Sequence, residues 1–311
     1  MKTLYESLVW HEVKLTGHAA ARTIPLVYGE VGAGSQRVLM VAGTHGDEGP
    51  WSALAIKALL QHSLGELKCR VRVIFTANAL AAEVNTRNSW IDSPNSFDLD
   101  SCFPGNPNGS HSERVAAAIT PLLTDNDVIL DLHGGGSWCV NAFVKRFDGS
   151  ESLAEDMEAP FISKAPNKPG GLTSYAKTLG IKVTNIEMGG RSKDEMLWCG
   201  RIVTGLERVL HNLGVLTLAS QPALARKSIE VGKTEAIRSR MGGIFVPTLR
   251  EEAVGTIIPA GTEMGKMLDL HTLEELEVFK APFPHTAMML LRPEICVVEG
   301  SALIYVTAEP V

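Results

Sequence analysis

Three short segments place metal-binding or proton-handling side chains beside glycine. Gly43-Thr44-His45-Gly46-Asp47-Glu48-Gly49 sets an imidazole and a carboxylate three positions apart, so one turn at a helix entrance brings both to a common point. Asp131-Leu132-His133-Gly134-Gly135-Gly136 offers a second imidazole, with Asp131 two residues earlier on the same face of an extended segment. A catalytic zinc takes three His or Glu ligands and keeps a fourth position for water. His45, Glu48 and His133 meet that need, and Asp131 is placed to orient the His133 ring. Each piece alone is weak: HxxE pairs occur in many helices, Glu48 would suit a helix N-terminus through its charge, and a single strand-end histidine is usually structural. Both pieces standing in glycine-rich surroundings after β-branched runs is what marks a metal centre.

The elements that must carry these segments alternate between strand and helix patterns. Arg37 to Ala42 (RVLMVA) reads as a buried strand running into the first segment, and Trp51 to His62 has apolar residues at helical spacing. Cys69 to Thr76 alternates as a second strand, a helix is expected around Ser112 to Leu123, and Asp127 to Leu132 (DVILDL) reads as a central strand delivering His133. Ile181 to Ile186 is a further strand, and Lys193 to Leu213 carries a long helix ending at Gly214. This alternation is that of an α/β sheet with crossover helices, in which ligands bind at the C-terminal strand ends. From about Pro222 the texture changes to short β segments punctuated by glycine and proline, so an α/β domain over residues 1–221 and a small all-β domain over 222–311 are expected. The spacing of Gly255, Gly261, Gly265 and Gly300 with Ala281-Pro282 resembles the barrel-sandwich of biotinyl and lipoyl modules. No lysine stands at Leu268 to Leu270 where such a module would be modified, so a structural appendage is expected.

Composition narrows the classes of function. The 311 residues are 45% hydrophobic and 21% charged, as in ordinary globular chains. With 29 Lys+Arg against 35 Asp+Glu the net charge is −6, and no basic run occurs, which argues against a nucleic-acid partner. No apolar stretch is long enough to span a bilayer, and residues Met1 to Leu15 lack the apolar core of a secretory signal. Five scattered cysteines without a CxxC pair fit reduced thiols and a cytoplasmic setting. The sequence leaves oligomeric state open, a homo-oligomer included.

GTHGDEG, then DLHGG, then Ile186-Glu187-Met188-Gly189-Gly190 resemble, in order and spacing, the metal and catalytic segments of the succinylglutamate desuccinylase/aspartoacylase family, within the zinc carboxypeptidase superfamily. The resemblance implies a mixed central sheet flanked by helices, one zinc per chain, and cleavage of the amide bond of a small N-acyl compound. By that resemblance Glu187 takes a proton from the water activated at the metal and passes it to the leaving amine, work that one carboxylate can do as base and then as acid. The loop after the second strand matches in part. Asn78 corresponds to the family's asparagine, and Arg87 to an arginine that polarises the scissile carbonyl and steadies the developing oxyanion.

The departure comes at Asp98-Leu99-Asp100-Ser101-Cys102-Phe103-Pro104-Gly105, where family members carry Asn-Arg to grip a substrate carboxylate and this chain has Asp100-Ser101. A carboxylate facing the pocket repels an acidic substrate and favours an ammonium or another donor. The expected substrate is therefore an N-acyl, N-acetyl above all, amine or amino-acid derivative whose amine-side portion is neutral or cationic, with Arg191 or Arg114 as alternative carboxylate grips. Trp90 and Trp138 flank the cleft as candidate walls. Cys102 and Cys139 have no histidine in a nucleophile arrangement, and His111 and His285 have no ligand spacing. A non-catalytic binding protein that keeps the fold and a carboxypeptidase-type peptidase stay as alternatives. Glu187 speaks against the first and the absent Asn-Arg against the second.

Overall fold

The computed structural model describes residues 2–15, 23–62, 67–92, 98–217 and 227–311. In chain order the strands and helices are β1 (Val9–Leu15), β2 (Ile24–Val31), β3 (Arg37–Ala42), α1 (Gly49–His62), β4 (Arg70–Ile74), α2 (Ala79–Glu83), α3 (His111–Thr124), β5 (Val128–His133), β6 (Val140–Arg146), α4 (Glu151–Asp156), β7 (Phe161–Lys164), α5 (Leu172–Thr178), β8 (Lys182–Gly190) and α6 (Glu195–Asn212). Then follow β9 (Ile229–Arg238), β10 (Gly243–Pro247), β11 (Ile257–Pro259), β12 (Glu263–Leu268), β13 (Glu275–Lys280), β14 (His285–Leu291), β15 (Cys296–Val298) and β16 (Leu303–Pro310).

At the centre β4, β3, β5 and β8 lie parallel, with β2 antiparallel outside β4 and β6 antiparallel against β8. This is the mixed sheet the sequence led us to expect. Side-chain alternation sorts its two faces. Val38, Met40, Ala42, Val128, Leu130, Leu132, Ile186 and Met188 pack with α1 and α6 through Trp51, Leu59, Ile202 and Leu206. Leu39, Val41, Ile129 and Val183 face α3 and α5 through Val115, Ile119, Leu172 and Ala176. On that second face the odd-numbered positions turn polar towards the site end, where Asp131 and His133 of β5 stand beside Asn185 and Glu187 of β8. Asn141 and Lys145 of β6 continue the row.

The sheet does not stop where the sequence texture changes. Its order is β1-β2-β4-β3-β5-β8-β6-β7-β9-β16-β14-β11, and β14 also pairs with the start of β6. A second sheet, β13-β12-β10-β15, completes the C-terminal region. The expected boundary at 221/222 lies outside the described residues. No helix among the described residues is long and apolar enough to cross a membrane.

Candidate metal and catalytic site

His45 and Glu48 stand in the turn between β3 and α1, where the Glu48 N–H donates to the His45 carbonyl at 3.2 Å. Neighbouring segments pin that turn. The Asn78 N–H donates to the Gly43 carbonyl at 2.8 Å and the Gly46 N–H to the Arg87 carbonyl at 3.3 Å. Asp47 accepts from the Ser137 N–H at 3.0 Å and its hydroxyl at 2.9 Å. On the far side the Trp51 indole N–H donates to the Met188 carbonyl at 3.1 Å, so the helix that follows the ligand turn also holds the end of β8. Glu48 Oε2 lies 2.8 Å from His45 Nδ1 and 3.0 Å from His133 Nδ1, and the two ring nitrogens are 3.3 Å apart. A tetrahedral zinc with bonds of about 2.0–2.1 Å separates its ligand atoms by roughly 3.3 Å. Size, donor types and burial of all three residues therefore fit a zinc ion.

Both rings turn Nδ1 inward because Nε2 is engaged elsewhere. His133 Nε2 is 3.0 Å from Asp131 Oδ2, and His45 Nε2 is 3.1 Å from Asp98 Oδ1. A ring that donates its Nε2–H to a carboxylate presents the Nδ1 lone pair to a metal. Asp131 accepts a second bond, from Asn185 Nδ2 at 3.2 Å. Burial works against charging the two imidazoles, yet Glu48 and Asp98 raise His45, and Asp131, Glu48 and Glu187 raise His133 well above the ordinary range. Burial also opposes ionising Glu48, and the two histidines hold it well below the usual carboxylate range. The cluster thus calls for positive charge at its centre, which a divalent cation supplies.

Glu187 is paired in register with His133 on the adjacent parallel strand, so its side chain rises on the same face beside the ligands. Lys145 Nζ donates to its Oε1 at 2.7 Å and Asn141 Nδ2 to its Oε2 at 2.9 Å. Burial would raise Glu187, but Lys145 and His133 outweigh it and hold the carboxyl low. Arg87 donates to Glu48 Oε1 at 2.5 Å and lies 3.8 Å from Asp98 Oδ2. Asp100 does not present a bare carboxylate: Oδ2 accepts from Lys168 Nζ at 2.8 Å and Oδ1 from the Leu172 N–H at 3.0 Å. The repulsion expected of it towards acidic groups is offset by that partner. Ser101 is exposed on the outer side of the same 3-10 turn, Leu99–Ser101.

Residues 34–211 match the model of the succinylglutamate desuccinylase/aspartoacylase catalytic domain. The chain belongs to that family. Its members' names, deacetylase, desuccinylase and aspartoacylase, are those of hydrolases acting on amide C–N bonds. The N-alpha-acetyl-L-2,4-diaminobutyric acid deacetylase of Halomonas elongata is 34% identical over 99 residues, 32% of this chain and 28% of that protein. Among solved structures, the product-bound ectoine utilization protein of Ruegeria pomeroyi superposes with a TM-score of 0.82 at 18% identity, covering 97% of this chain and 94% of that one. A succinylglutamate desuccinylase/aspartoacylase from Rhodobacter sphaeroides gives 0.81 at 23% identity, with 98% and 95% covered. At these identities the likeness is one of fold.

Within this desuccinylase/aspartoacylase fold none of the remaining sequence candidates joins the ligand cluster among the described residues. Arg191 pairs with Glu294 at 3.2 Å, and Arg114 donates to the Gly109 carbonyl at 2.5 Å. Trp90 lies open at the surface, whereas Trp138 is covered by the Arg292 guanidinium 4.1 Å from its ring centre. The Cys102 and Cys139 thiols donate to the carbonyls of Asp98, at 3.2 Å, and Gly135, at 2.8 Å. His111 is buried at the start of α3 and His285 is exposed at the start of β14. Sequence reasoning passed over Asp98 as the partner of His45, and over Asn141, Lys145, Lys168 and Asn185. Only Asn185 had a readable signal, two residues before Glu187 in an expected strand.

Proposed function

We propose that this chain is a zinc-dependent deacylase that hydrolyses the amide bond of a small N-acyl, chiefly N-acetyl, amine or amino-acid derivative. The observation that carries the reading is the triangle of His45 Nδ1, Glu48 Oε2 and His133 Nδ1 with Glu187 in register beside it on the next strand. Zinc, held by those three residues, contributes Lewis acidity towards a water molecule and a carbonyl oxygen. Glu187 accepts the proton of the attacking water and delivers it to the amine nitrogen as the C–N bond breaks. Arg87, anchored on Glu48, directs its remaining N–H groups at the scissile carbonyl oxygen, where negative charge builds up.

On the amine side, Lys168 Nζ lies 2.8 Å from Asp100 and 3.7 Å from Asp98. Lys168 thus already answers part of that acidic charge, and the reading that the amine-side portion is neutral or cationic, with Asp100 and Ser101 at its edge, rests instead on the absence of the Asn-Arg carboxylate grip. The Halomonas relative, named for deacetylating N-alpha-acetyl-L-2,4-diaminobutyric acid, points the same way. Zinc-loaded protein assayed on N-acetylated diamino acids, N-acetylaspartate and N-succinylglutamate is expected to prefer the first group. Preference for the dicarboxylic substrates removes the assignment of the amine side. Glu187→Gln should lower kcat by about 10²–10⁴-fold, and wild-type turnover in that variant removes the mechanism.

A further inference from the structure

The Glu187 carboxylate is gripped at both oxygens by one strand. β6 runs antiparallel to β8 with Phe143 opposite Glu187, which makes Asn141 and Lys145 the two diagonal neighbours of Glu187 on its own face. Each takes one oxygen, Lys145 the Oε1 at 2.7 Å and Asn141 the Oε2 at 2.9 Å. A glutamate side chain is otherwise free to spin about its last torsion, a broad and nearly flat rotor. Two donors on opposite oxygens stop that rotation.

The pair is poorly explained as fold stabilisation. The Lys145 side chain is 28% exposed and that of Glu187 12%. Taking an ammonium and a carboxylate this far out of water costs as much as their attraction returns, and an apolar pair of similar volume generally serves a fold as well. The alternate residues of β6, Ala142 and Val144, point the other way into the main apolar cluster, on the side of α4, and do the packing. Asn141 is held from both edges, since its backbone pairs with Gly189 of β8 and Leu290 of β14.

We propose that Lys145 and Asn141 are positioning residues that lock the Glu187 carboxylate in the orientation its proton transfers require. This rests on Glu187 carrying the proton. It adds a requirement that the three ligands and Glu187 do not by themselves impose.

The test uses zinc-loaded full-length Lys145→Met, Lys145→Arg and Asn141→Ala, assayed on N-alpha-acetyl-L-2,4-diaminobutyrate and solved crystallographically. Lys145→Met should lower kcat by about 10²-fold, the cost of a misplaced reacting group, with KM within threefold and zinc content unchanged, in protein still folded at the assay temperature although removing one partner of the pair lowers its melting temperature. Lys145→Arg, which keeps a cationic donor, should recover at least tenfold of that loss. Combined with Glu187→Gln, Lys145→Met should add nothing further, because it acts only through Glu187. Electron density should show the Glu187 carboxylate turned or spread over several orientations in Lys145→Met, an arm that needs no turnover. A Glu187 left in place, or a kcat within threefold of wild type while Glu187→Gln is inactive, overturns the positioning role and leaves the proton-transfer reading standing. Full turnover in Glu187→Gln overturns that reading instead.

Discussion

An imidazole has two nitrogens and a metal uses one, so whatever engages the other decides how well the ring serves as a ligand. Here the two rings are treated alike although their partners come from different parts of the chain. Asp131, two residues before His133, was legible because strand alternation puts it on the same face. Asp98, 53 residues beyond His45, was not, since nothing local ties that loop to the ligand turn. Orienting carboxylates of this kind are worth about 10–100-fold in metal affinity. Asp98→Asn and Asp131→Asn should each weaken zinc binding by that factor, read by competition with a chelator of known affinity. The amide can still accept the ring N–H but brings no charge, so Asp→Ala should cost more. Wild-type affinity in both Asn variants would mean the second carboxylates only fill space.

Among the elements, those with uninterrupted patterns were readable: RVLMVA became β3, DVILDL became β5 with His133 at its end, and the helix expected over 193–213 became α6. β6 was missed although its alternation is that of a half-buried strand: the run is short, and Phe143 on the polar face interrupts it. Val140, Ala142 and Val144 form a clean apolar face, and Asn141 and Lys145, which hold Glu187, flank Phe143 on the other. The ligand turn shows the same link between element and site. A β-carbon on Gly46 would lie 2.1 Å from the Ala81 carbonyl carbon, which is backbone of α2 and cannot swing aside. Gly46→Ala should therefore push the turn off α2, cost about 1–3 kcal/mol by denaturant unfolding and weaken zinc binding as well. Gly200, inside α6 with nothing within 4 Å of its would-be β-carbon, is the control. Gly200→Ala should raise stability by about 0.5–1 kcal/mol. Equal midpoints for the two variants would show that α2 yields.

At the scale of the whole molecule, the change of texture near Pro222 announced β structure but not where its strands would go. Pairing of Leu290 with Asn141 and of Ile229 with Phe161 joins segments far apart in the chain, and no local pattern encodes such partners. The consequence is that the C-terminal strands brace the site from behind. β14 pairs with the residue that holds Glu187, and Arg292, just past β14, covers Trp138 in the loop that Asp47 fastens through Ser137.

Arg292 tests how much that bracing matters. Its guanidinium lies 4.1 Å from the Trp138 ring centre while its Nε donates to the Leu303 carbonyl at 2.8 Å, so one side chain ties the 134–138 loop to β16. Cation–π contacts of partly buried arginines contribute about 0.5–2 kcal/mol, and the hydrogen bond adds about 1 kcal/mol. Arg292→Ala should lower the melting temperature by a few degrees, since each kcal/mol is worth about 2–4 °C even in somewhat smaller domains. It should also shift the fluorescence of Trp138, which loses its cover. Arg292→Lys keeps the charge and loses the flat stacking surface and the Nε donor, so it should fall close to the alanine variant. Zinc affinity should stay at the wild-type value in both, because His133 is held by Asp131 and its own strand rather than by the loop beyond it. A loss of zinc binding in Arg292→Ala would show instead that the C-terminal strands set the ligand geometry itself.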